Sequence, residues 1–422
     1  MTTSPQSRPY DPLNISSLEF WSSSPRERDV LLSELRRERP VSWQPPAEGG
    51  MAAPENDGYW AVTSHEFIKY VSRTPELFCS GEGIQMEEIP SDILEAVSGF
   101  LAMDGQRHKS LRKLVSNAFT PKQVKRLEAG IRDRAATIVE RLLEIGEGDF
   151  VQNVSKLMPM NTFYDVAGLP AQYREEAAKN ADEMAAWNDP DIAEGRQPGE
   201  VLMDGAIGNL AIGLEFAEMT RAQPRDDVWT NLVSAEVDGR HLTDEELATM
   251  FVLLSFAGND TTRTSISLGT KAFLDHPDQI AYLLEDFDGR INHAIEEVLR
   301  WVTPIMTFRR TATEDTVLGG QQIRKGDWVV MFYASGNRDE TVFEDPWKFD
   351  VSRTPRGHVA FGGGGPHFCI GSFLAQAMLR HMFDQILHRI PDLSLGEPEL
   401  LVGNFAGAVK KMSASTGCPV MH

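Results

Sequence analysis

A glycine-rich loop that carries a single cysteine constrains this sequence more than any other feature. Residues 361–371 read FGGGGPHFCIG, and the apolar pattern that follows predicts a helix over residues 370–390. Glycines let a backbone turn tightly and approach a flat ligand. A cysteine at a helix N-terminus lies near backbone N–H groups and positive dipole, which favour the thiolate that a metal needs. The loop therefore predicts a ligand at Cys369, with a glycine hairpin around a buried structural cysteine as the alternative.

The composition limits the kinds of partner that the protein can have. The 422 residues carry 62 acidic and 41 basic side chains, and this net charge of −21 opposes binding to nucleic acid or an anionic membrane. Three cysteines without a Cys-x-x-Cys pair cannot build an all-cysteine zinc or iron–sulfur site. Since 41% of the residues are hydrophobic, we expect a folded protein with a small, largely apolar ligand.

The organisation of the chain predicts one domain without a targeting segment. Residues 1–14 are polar and proline-rich and resemble neither a signal peptide nor a membrane anchor. No apolar run approaches the ~20 residues of a membrane span. Neither a repeat nor a Gly/Ser linker divides the sequence. We expect a single domain over residues 1–422 with residues 1–15 flexible, a cytoplasmic location and a monomer.

The hydrophobic pattern predicts a mainly α fold with small β-sheets. Helices are expected at residues 29–39 and 66–72 and over most of residues 121–316. Strands are expected at residues 59–63 and 327–333, followed by an irregular stretch rich in proline and glycine. The architecture is thus a large helical body with small sheets at its edges.

A cluster of small and polar residues interrupts the long apolar helix predicted over residues 251–274. It reads AGNDTT at residues 257–262. Gly258 weakens a helix by ~1 kcal/mol relative to alanine, and the Thr261 hydroxyl can bond a preceding carbonyl. Next to a metal, this defect makes a groove for a diatomic ligand and supplies Asp260 and Thr261 as an acid–alcohol pair for protons. A capped or kinked core helix is the alternative.

Glu297 and Arg300 form a second candidate cluster. Their spacing places a carboxylate and a guanidinium on one face of a helix. The neighbouring residues are apolar, which predicts a buried pair, and Arg353 is the candidate third member. The alternative is a solvated surface pair, which stabilises little.

In order and spacing these motifs resemble the cytochrome P450 superfamily, and the resemblance covers essentially the whole chain. It implies a P450-like fold, haem b as cofactor, and Glu297, Arg300 and Arg353 as a structural triad. The residues that it assigns to the haem are His108, Arg112, Ala257, Gly258, Arg310, Phe361, His367, Cys369 and Gly371. Cations among them suit a group that carries two carboxylates into a low-dielectric slot. For His108 the alternative is a first-turn residue that touches solvent.

One departure from the family pattern lies in the cysteine loop. The family places its aromatic seven residues before the cysteine, whereas Phe361 is eight residues before Cys369. The glycines therefore do not match the family's positions one to one.

The resemblance implies a monooxygenase that inserts one oxygen atom of O2 into a C–H bond of an apolar small molecule. The Cys369 thiolate would push electron density onto the iron, and Asp260 and Thr261 would deliver protons. A non-catalytic haem sensor, or a peroxide-driven variant, has no need of this acid–alcohol pair. The pair therefore favours reductive oxygen activation.

Electrons are expected from a separate ferredoxin and ferredoxin reductase, because the chain has no strand-bounded G-x-G-x-x-G for a nicotinamide or flavin. Between Asp104 and Arg126, seven basic residues stand against one acidic residue. They are Arg107, Lys109, Arg112, Lys113, Lys122, Lys125 and Arg126. Apart from those that face the haem, they predict a basic patch that docks an acidic ferredoxin. An ordinary solvated helix face is the alternative.

Four stretches resemble the actinobacterial P450 subgroup that oxidises terminal methyls of methyl-branched lipids and sterol side chains. They are residues 17–21, 233–239, 345–347 and the long cysteine loop. The resemblance implies terminal hydroxylation of a branched isoprenoid or sterol-like chain, with subterminal terpenoid hydroxylation as the alternative. The predicted substrate pocket is apolar. It consists of Ile84, Met86, Phe256, Ala257, Ile305, Met306 and Phe405.

Overall fold

The computed structural model describes residues 8–49, 56–86, 91–187, 189–225, 227–237, 239–354 and 357–417. The helices are α1 (Leu18–Ser22), α2 (Pro25–Glu38), α3 (His65–Arg73), α4 (Ser91–Ser98), α5 (Gly105–Ser116), α6 (Pro121–Ile145), α7 (Leu157–Ala167), α8 (Ala171–Ala185), α9 (Pro190–Ala193), α10 (Pro198–Ala222), α11 (Val228–Val233), α12 (Asp244–Ala257), α13 (Asn259–Asp275), α14 (Pro277–Glu285), α15 (Phe287–Val302), α16 (Tyr333–Gly336) and α17 (Ser372–Arg389). Short 3₁₀ helices span Gly99–Ala102 and Asn117–Phe119, and a π-helical turn spans Val151–Ser155.

The strands of the described residues are β1 (Val41–Gln44), β2 (Tyr59–Val62), β3 (Phe78–Cys79), β4 (Glu147–Asp149), β5 (Glu236–Val237), β6 (Arg240–His241), β7 (Thr307–Ala312), β8 (Thr316–Leu318), β9 (Gln321–Ile323), β10 (Trp328–Phe332), β11 (Ser394–Leu395), β12 (Glu399–Leu400), β13 (Val409–Lys411) and β14 (Ser413–Ser415). The largest sheet has the order β1-β2-β10-β7-β3. The mainly α fold with small sheets is as predicted.

The helical body is arranged around α12 and α13. Helix α12 packs against α4, α8 and α10, while α13 packs against α15 and α17. Residues 250–255 of α12 are all buried, as expected for a helix that is apolar on every face. A capping box between Thr243 and Glu246 begins this helix. The two helices thus present their junction, residues 257–259, to the interior.

The predicted helical stretch of residues 121–316 is wrong at its C-terminal end. Helix α15 ends before Thr303, which has a left-handed φ of 45°, and Pro304 follows. Thr307–Ala312 is strand β7, and it pairs antiparallel with β10 from Thr307 opposite Phe332 onward. The β-branched threonines of this segment favour a pleated strand. The strand carries Arg310.

Residues 8–15, part of the N-terminal segment that is predicted to be flexible, make contacts with the rest of the protein. The Arg8 side chain pairs with Asp327 at 2.6 Å, and its guanidinium lies 4.8 Å from the ring of Trp43. Asp11 pairs with Arg39 at 2.7 Å. These contacts attach the segment to the largest sheet and to the end of α2, and residues 1–7 lie outside the described residues.

A buried ion pair joins α15 to the irregular stretch before the cysteine loop. Arg300 donates from Nε and Nη2 to the two carboxylate oxygens of Glu297, both at 2.7 Å, and each side chain is at most 2% exposed. Arg353 Nε lies 3.3 Å from Glu297 Oε2. The three predicted triad residues therefore meet.

No helix among the described residues is long and apolar enough to cross a membrane.

Candidate functional site

A cavity lies between the α12–α13 junction and the cysteine loop. It encloses about 1650 Å³ of empty space, counting its open mouth. Its walls are mostly apolar, with several phenylalanines. Polar side chains reach it mainly from the α12–α13 junction, from the cysteine loop, and from Arg112 and Arg310. Cys369 and Thr261 both line this one cavity.

The backbone of the cysteine loop depends on its glycines. Gly362, Gly364 and Gly365 have φ values of 94°, 96° and 76°, a region that other residues rarely adopt. A Cβ on Gly365 would lie 2.2 Å from the carbonyl oxygen of Ser72 on α3. The loop therefore packs directly against α3.

Cys369 is held at the start of α17. Its backbone N–H donates to the carbonyl of Phe361 at 2.9 Å, which closes the loop. Burial raises the pKa of the thiol, while a backbone hydrogen bond from Gly371 and the charge of Arg112 oppose this shift. A cationic metal against the sulfur would deprotonate it outright. The sulfur thus lies in an apolar environment at the wall of the cavity.

The four predicted cations converge beside the cysteine. Arg112, Arg310 and His367 line the cavity, and His108 stacks on His367 with 4.2 Å between ring centroids. Burial, together with the charges of His367 and Arg112, lowers the pKa of His108 to about 4. Arg112 Nη2 donates to the carbonyl of Phe368 in the cysteine loop. Burial also lowers the pKa of Arg310.

Buried polar atoms without partners show what kind of group fits here. Within the described residues, His108 Nε2 and His367 Nδ1 are buried and have no hydrogen-bond partner. No described group of three or more His, Cys, Asp or Glu side chains could hold a bare metal ion. Carboxylates on a cofactor would accept from these imidazole N–H groups and from Arg112 and Arg310. The residues present fit a haem.

The α12–α13 junction exposes small residues to the cavity. Ala257 and Gly258 are exposed although they lie in the middle of a buried helical run. The Thr261 hydroxyl donates to the carbonyl of Ala257 at 3.1 Å, which is the local bond that loosens a helix. The helical run is thus interrupted at Gly258, close to Thr261.

Asp260 is part of a charged chain that the sequence analysis missed. Its buried carboxylate pairs with Arg263, Arg263 Nη1 donates to Asp182 of α8 at 3.0 Å, and Asp182 also binds Lys156. Burial raises the pKa of Asp260 to about 6. The i, i+3 spacing of Asp260 and Arg263 could have indicated the first pair.

The predicted substrate pocket is divided by the structure. Phe256, Ala257, Ile305 and Phe405 line the cavity. Ile84, Met86 and Met306 do not, which differs from the prediction. Ile84 packs with Leu94 and Ala102, while Met86 and Met306 belong to a core cluster with Trp21 and Phe332.

Comparisons with known proteins agree with this geometry. The cytochrome P450 family model matches residues 214–390. A methyl-branched lipid omega-hydroxylase of Mycobacterium tuberculosis is 37% identical over 416 residues, which cover 97% of this chain and 96% of the relative. The chain belongs to the cytochrome P450 family. A steroid C26-monooxygenase of Rhodococcus jostii is 38% identical over 92% of this P450 and 83% of the relative.

A solved structure is similar to this P450 throughout. It is the Mycobacterium marinum cytochrome P450 CYP268A2 in complex with pseudoionone, with a TM-score of 0.94 and 49% identity. The match covers 97% of this chain and 100% of the other. The predicted P450 fold and monooxygenase class are confirmed, and the family implies a haem-iron cofactor, an apolar substrate, O2 and redox partners.

Replacing Thr261 with alanine should separate substrate binding from productive turnover. The affinity should change by less than about twofold, because the apolar walls remain. Product formed per electron pair should fall by about tenfold or more, since a positioned proton donor contributes ~10² to 10⁴-fold, and hydrogen peroxide should account for the difference. Thr261→Ser keeps the hydroxyl and is the control. Tight coupling in Thr261→Ala would show that proton delivery bypasses this side chain.

Proposed function

We propose that this P450 hydroxylates a terminal methyl group of a methyl-branched isoprenoid or sterol-like lipid, with haem b as its cofactor. The observation that carries the proposal is the cavity. Small residues, Ala257 and Gly258, face it beside Thr261, while Phe256 and Phe405 belong to large apolar walls. Such a lining suits a flexible hydrocarbon whose narrow end reaches the groove.

The relatives support this substrate class. Those in Mycobacterium tuberculosis and Rhodococcus jostii are named for the omega position of methyl-branched lipids and for the C26 position of steroids. Both names describe oxidation at the end of a branched chain. We therefore infer that this cavity accommodates a similar branched hydrocarbon chain for the same reaction.

Each polar residue has a role in this reaction. Haem, when bound, supplies the oxygen-activating chemistry. Cys369 would be its ligand, and Arg112, Arg310, His108 and His367 would hold its carboxylates in the low-dielectric cavity.

Asp260 and Thr261 form the proton route. The pKa of Asp260 is raised to about 6, so its carboxyl gains and loses a proton near neutral pH. Thr261 carries a hydroxyl proton on Oγ1 at the cavity wall and can pass it on. Arg263 pairs with both Asp260 and Asp182 and so fixes the position of the Asp260 carboxylate beside the cavity.

A matched pair of ketones tests the substrate class. Hexahydropseudoionone and undecan-2-one share one main chain and differ only in two methyl branches. With a supplied ferredoxin and reductase, we expect the branched ketone to bind more tightly, seen as a haem spin-state shift, and to be turned over faster. Mass spectrometry should place the hydroxyl on a terminal methyl group. Equal or faster turnover of the linear ketone would refute the substrate class.

Subterminal hydroxylation of a terpenoid is the second candidate. The observation that favours it is the 49% identity to the Mycobacterium marinum P450 that was solved with pseudoionone. Pseudoionone itself is the probe for this candidate. A hydroxyl away from the branched terminus would establish it in place of terminal oxidation.

We further propose that an acidic ferredoxin docks beside the cysteine loop. Of the basic residues on α5 and the start of α6, Arg112 turns inward to the loop and Arg107 pairs with Glu95. The other five are exposed and make no ion pair with described residues. They are Lys109, Lys113, Lys122, Lys125 and Arg126. Phe368 and Phe373, 39% and 49% exposed, add an apolar centre on either side of Cys369.

Reversing two of these charges should slow electron delivery. Lys113→Glu with Arg126→Glu should lower the rate of ferredoxin association by about tenfold or more at low salt and flatten its salt dependence, because steering rates respond strongly to surface charge. Lys179→Glu on α8, which packs against α10 and α12, is the control. Stopped-flow reduction at several ionic strengths measures this. An unchanged salt dependence of the association rate would refute the docking proposal.

A further inference from the structure

A second, smaller cavity shares a wall with the one that contains Cys369. It encloses about 490 Å³, counting its mouth, between α1, α2 and the C-terminal end of α15. The turn at residues 303–306 separates the two cavities. Thr303 and Met306 line the smaller one, whereas Pro304 and Ile305 line the larger one.

Two arginines that line the smaller cavity lack a carboxylate partner among the described residues. Arg28 is 8% exposed, and its side-chain hydrogen bond goes to the sulfur of Met306 at 3.1 Å. Arg338 is 6% exposed and donates to the carbonyls of Arg300 and Trp301, while its buried Nε has no partner. Burial lowers the pKa of Arg28 to about 10 and that of Arg338 to about 9.

The one carboxylate in the lining is already engaged. Asp29 accepts from Arg36 Nη1 and from the indole N–H of Trp347, both at 2.6 Å. Arg36 also pairs with Glu340 at 3.0 Å. The lining therefore keeps unbalanced positive charge, and a buried charge without an anion is costly.

Indole rings surround these guanidinium groups. Arg338 lies 4.9 Å from the ring of Trp301 and 4.4 Å from that of Trp347, and Arg28 lies 5.7 Å from the ring of Trp21. Cation–π contacts of this kind offset part of the desolvation. They do not provide hydrogen-bond acceptors for the guanidinium groups, and the indole rings form apolar walls beside the charges.

We propose that this cavity binds a small aliphatic carboxylate. Its carboxylate would accept from the Arg28 guanidinium and from the unpaired Nε of Arg338, and its short chain would pack on the indoles. The exposed Arg26, whose guanidinium lies 5.3 Å from the ring of Trp347, adds positive charge at the rim and attracts the anion. The bound acid would contact residues 303–306, which also form one wall of the larger cavity.

Calorimetry on the haem-loaded protein tests the site, with hexanoate as the probe and hexanamide as its neutral counterpart. At saturation hexanoate should raise Tm by about 2 °C, and hexanamide should not. Arg28→Gln should weaken hexanoate binding by about tenfold or more, since it removes a charged donor. Arg37→Gln makes the same charge change on the exposed side of α2 and should leave binding unchanged.

Binding in the two cavities can be told apart. A ligand beside the haem shifts its absorption spectrum, whereas a ligand in the smaller cavity leaves the spectrum unchanged, and neither readout requires turnover. Hexanoate affinity that survives in Arg28→Gln, or that always accompanies the haem shift, would overturn the proposal. If Arg28→Gln fails to fold, wild-type crystals soaked in bromohexanoate test the site instead. Bromine density between Trp21 and Trp347 supports the site, and its absence there refutes it.

Discussion

Cys369→Ala should abolish turnover and remove the thiolate-type absorption band of the reduced protein under carbon monoxide. The loop offers no other soft anionic donor, because Cys369 is its one sulfur. The bond that closes the loop comes from the backbone N–H of residue 369 to the carbonyl of Phe361, so the substitution leaves it in place. The fold should therefore persist while the metal loses its ligand.

The natural control is Cys79→Ala. Cys79 is the other described free cysteine, it ends β3, and it does not line the haem cavity. Removing it should change neither the spectrum nor the rate of product formation. A thiolate-type band that persists in Cys369→Ala would mean that another residue ligates the iron, and the assignment of the loop would fail.

The sequence could predict the parts of the site that are local in the chain. Three features consist of residues that are close together in the sequence. They are the cysteine loop, the helix defect at residues 257–262 and the Glu297–Arg300 pair. Turn propensity and helical periodicity therefore reveal them directly. The family pattern then added Arg310, which no local rule connects to Cys369.

Contacts between segments that are distant in the sequence could not be predicted from it. Asp182 lies 81 positions before Arg263, on a different helix, and nothing in its own surroundings distinguishes it from a solvated helix residue. Asp182 is on α8 and Arg263 is on α13, which directly follows α12, the helix that α8 packs against. A network that depends on how two helices meet becomes visible only in the structure.

The substrate pocket shows a different kind of error. Ile305 and Met306 were both predicted to face the substrate, yet neighbours in extended backbone point to opposite sides. Ile305 forms a β-bridge with Ala406 and lines the haem cavity, and Met306 faces Arg28 on the other side. The alternation of side chains could have shown that only one of the two residues faces the substrate. It could not have shown which one.

Arg300→Leu should damage stability and haem retention more than any surface substitution. It removes one partner of a buried ion pair, which costs ~3 to 5 kcal/mol of unfolding free energy. Arg300 also donates to the carbonyls of Asn337, Pro346 and Lys348, so the irregular stretch before the cysteine loop would lose its attachment to α15. Denaturant unfolding and haem content per chain measure both effects.

A surface pair between the start of this helix and the end of α14 gives the control. Arg290 pairs with Glu285 at 2.9 Å, but their side chains are 27% and 69% exposed, so Arg290→Leu should cost less than about 1 kcal/mol. Glu297→Gln keeps the shape of the buried pair and removes only its negative charge, which leaves Arg300 and Arg353 facing each other uncompensated. It should therefore resemble Arg300→Leu rather than Arg290→Leu. Similar losses in all three variants would show that burial of the pair is not what anchors the cysteine loop to α15.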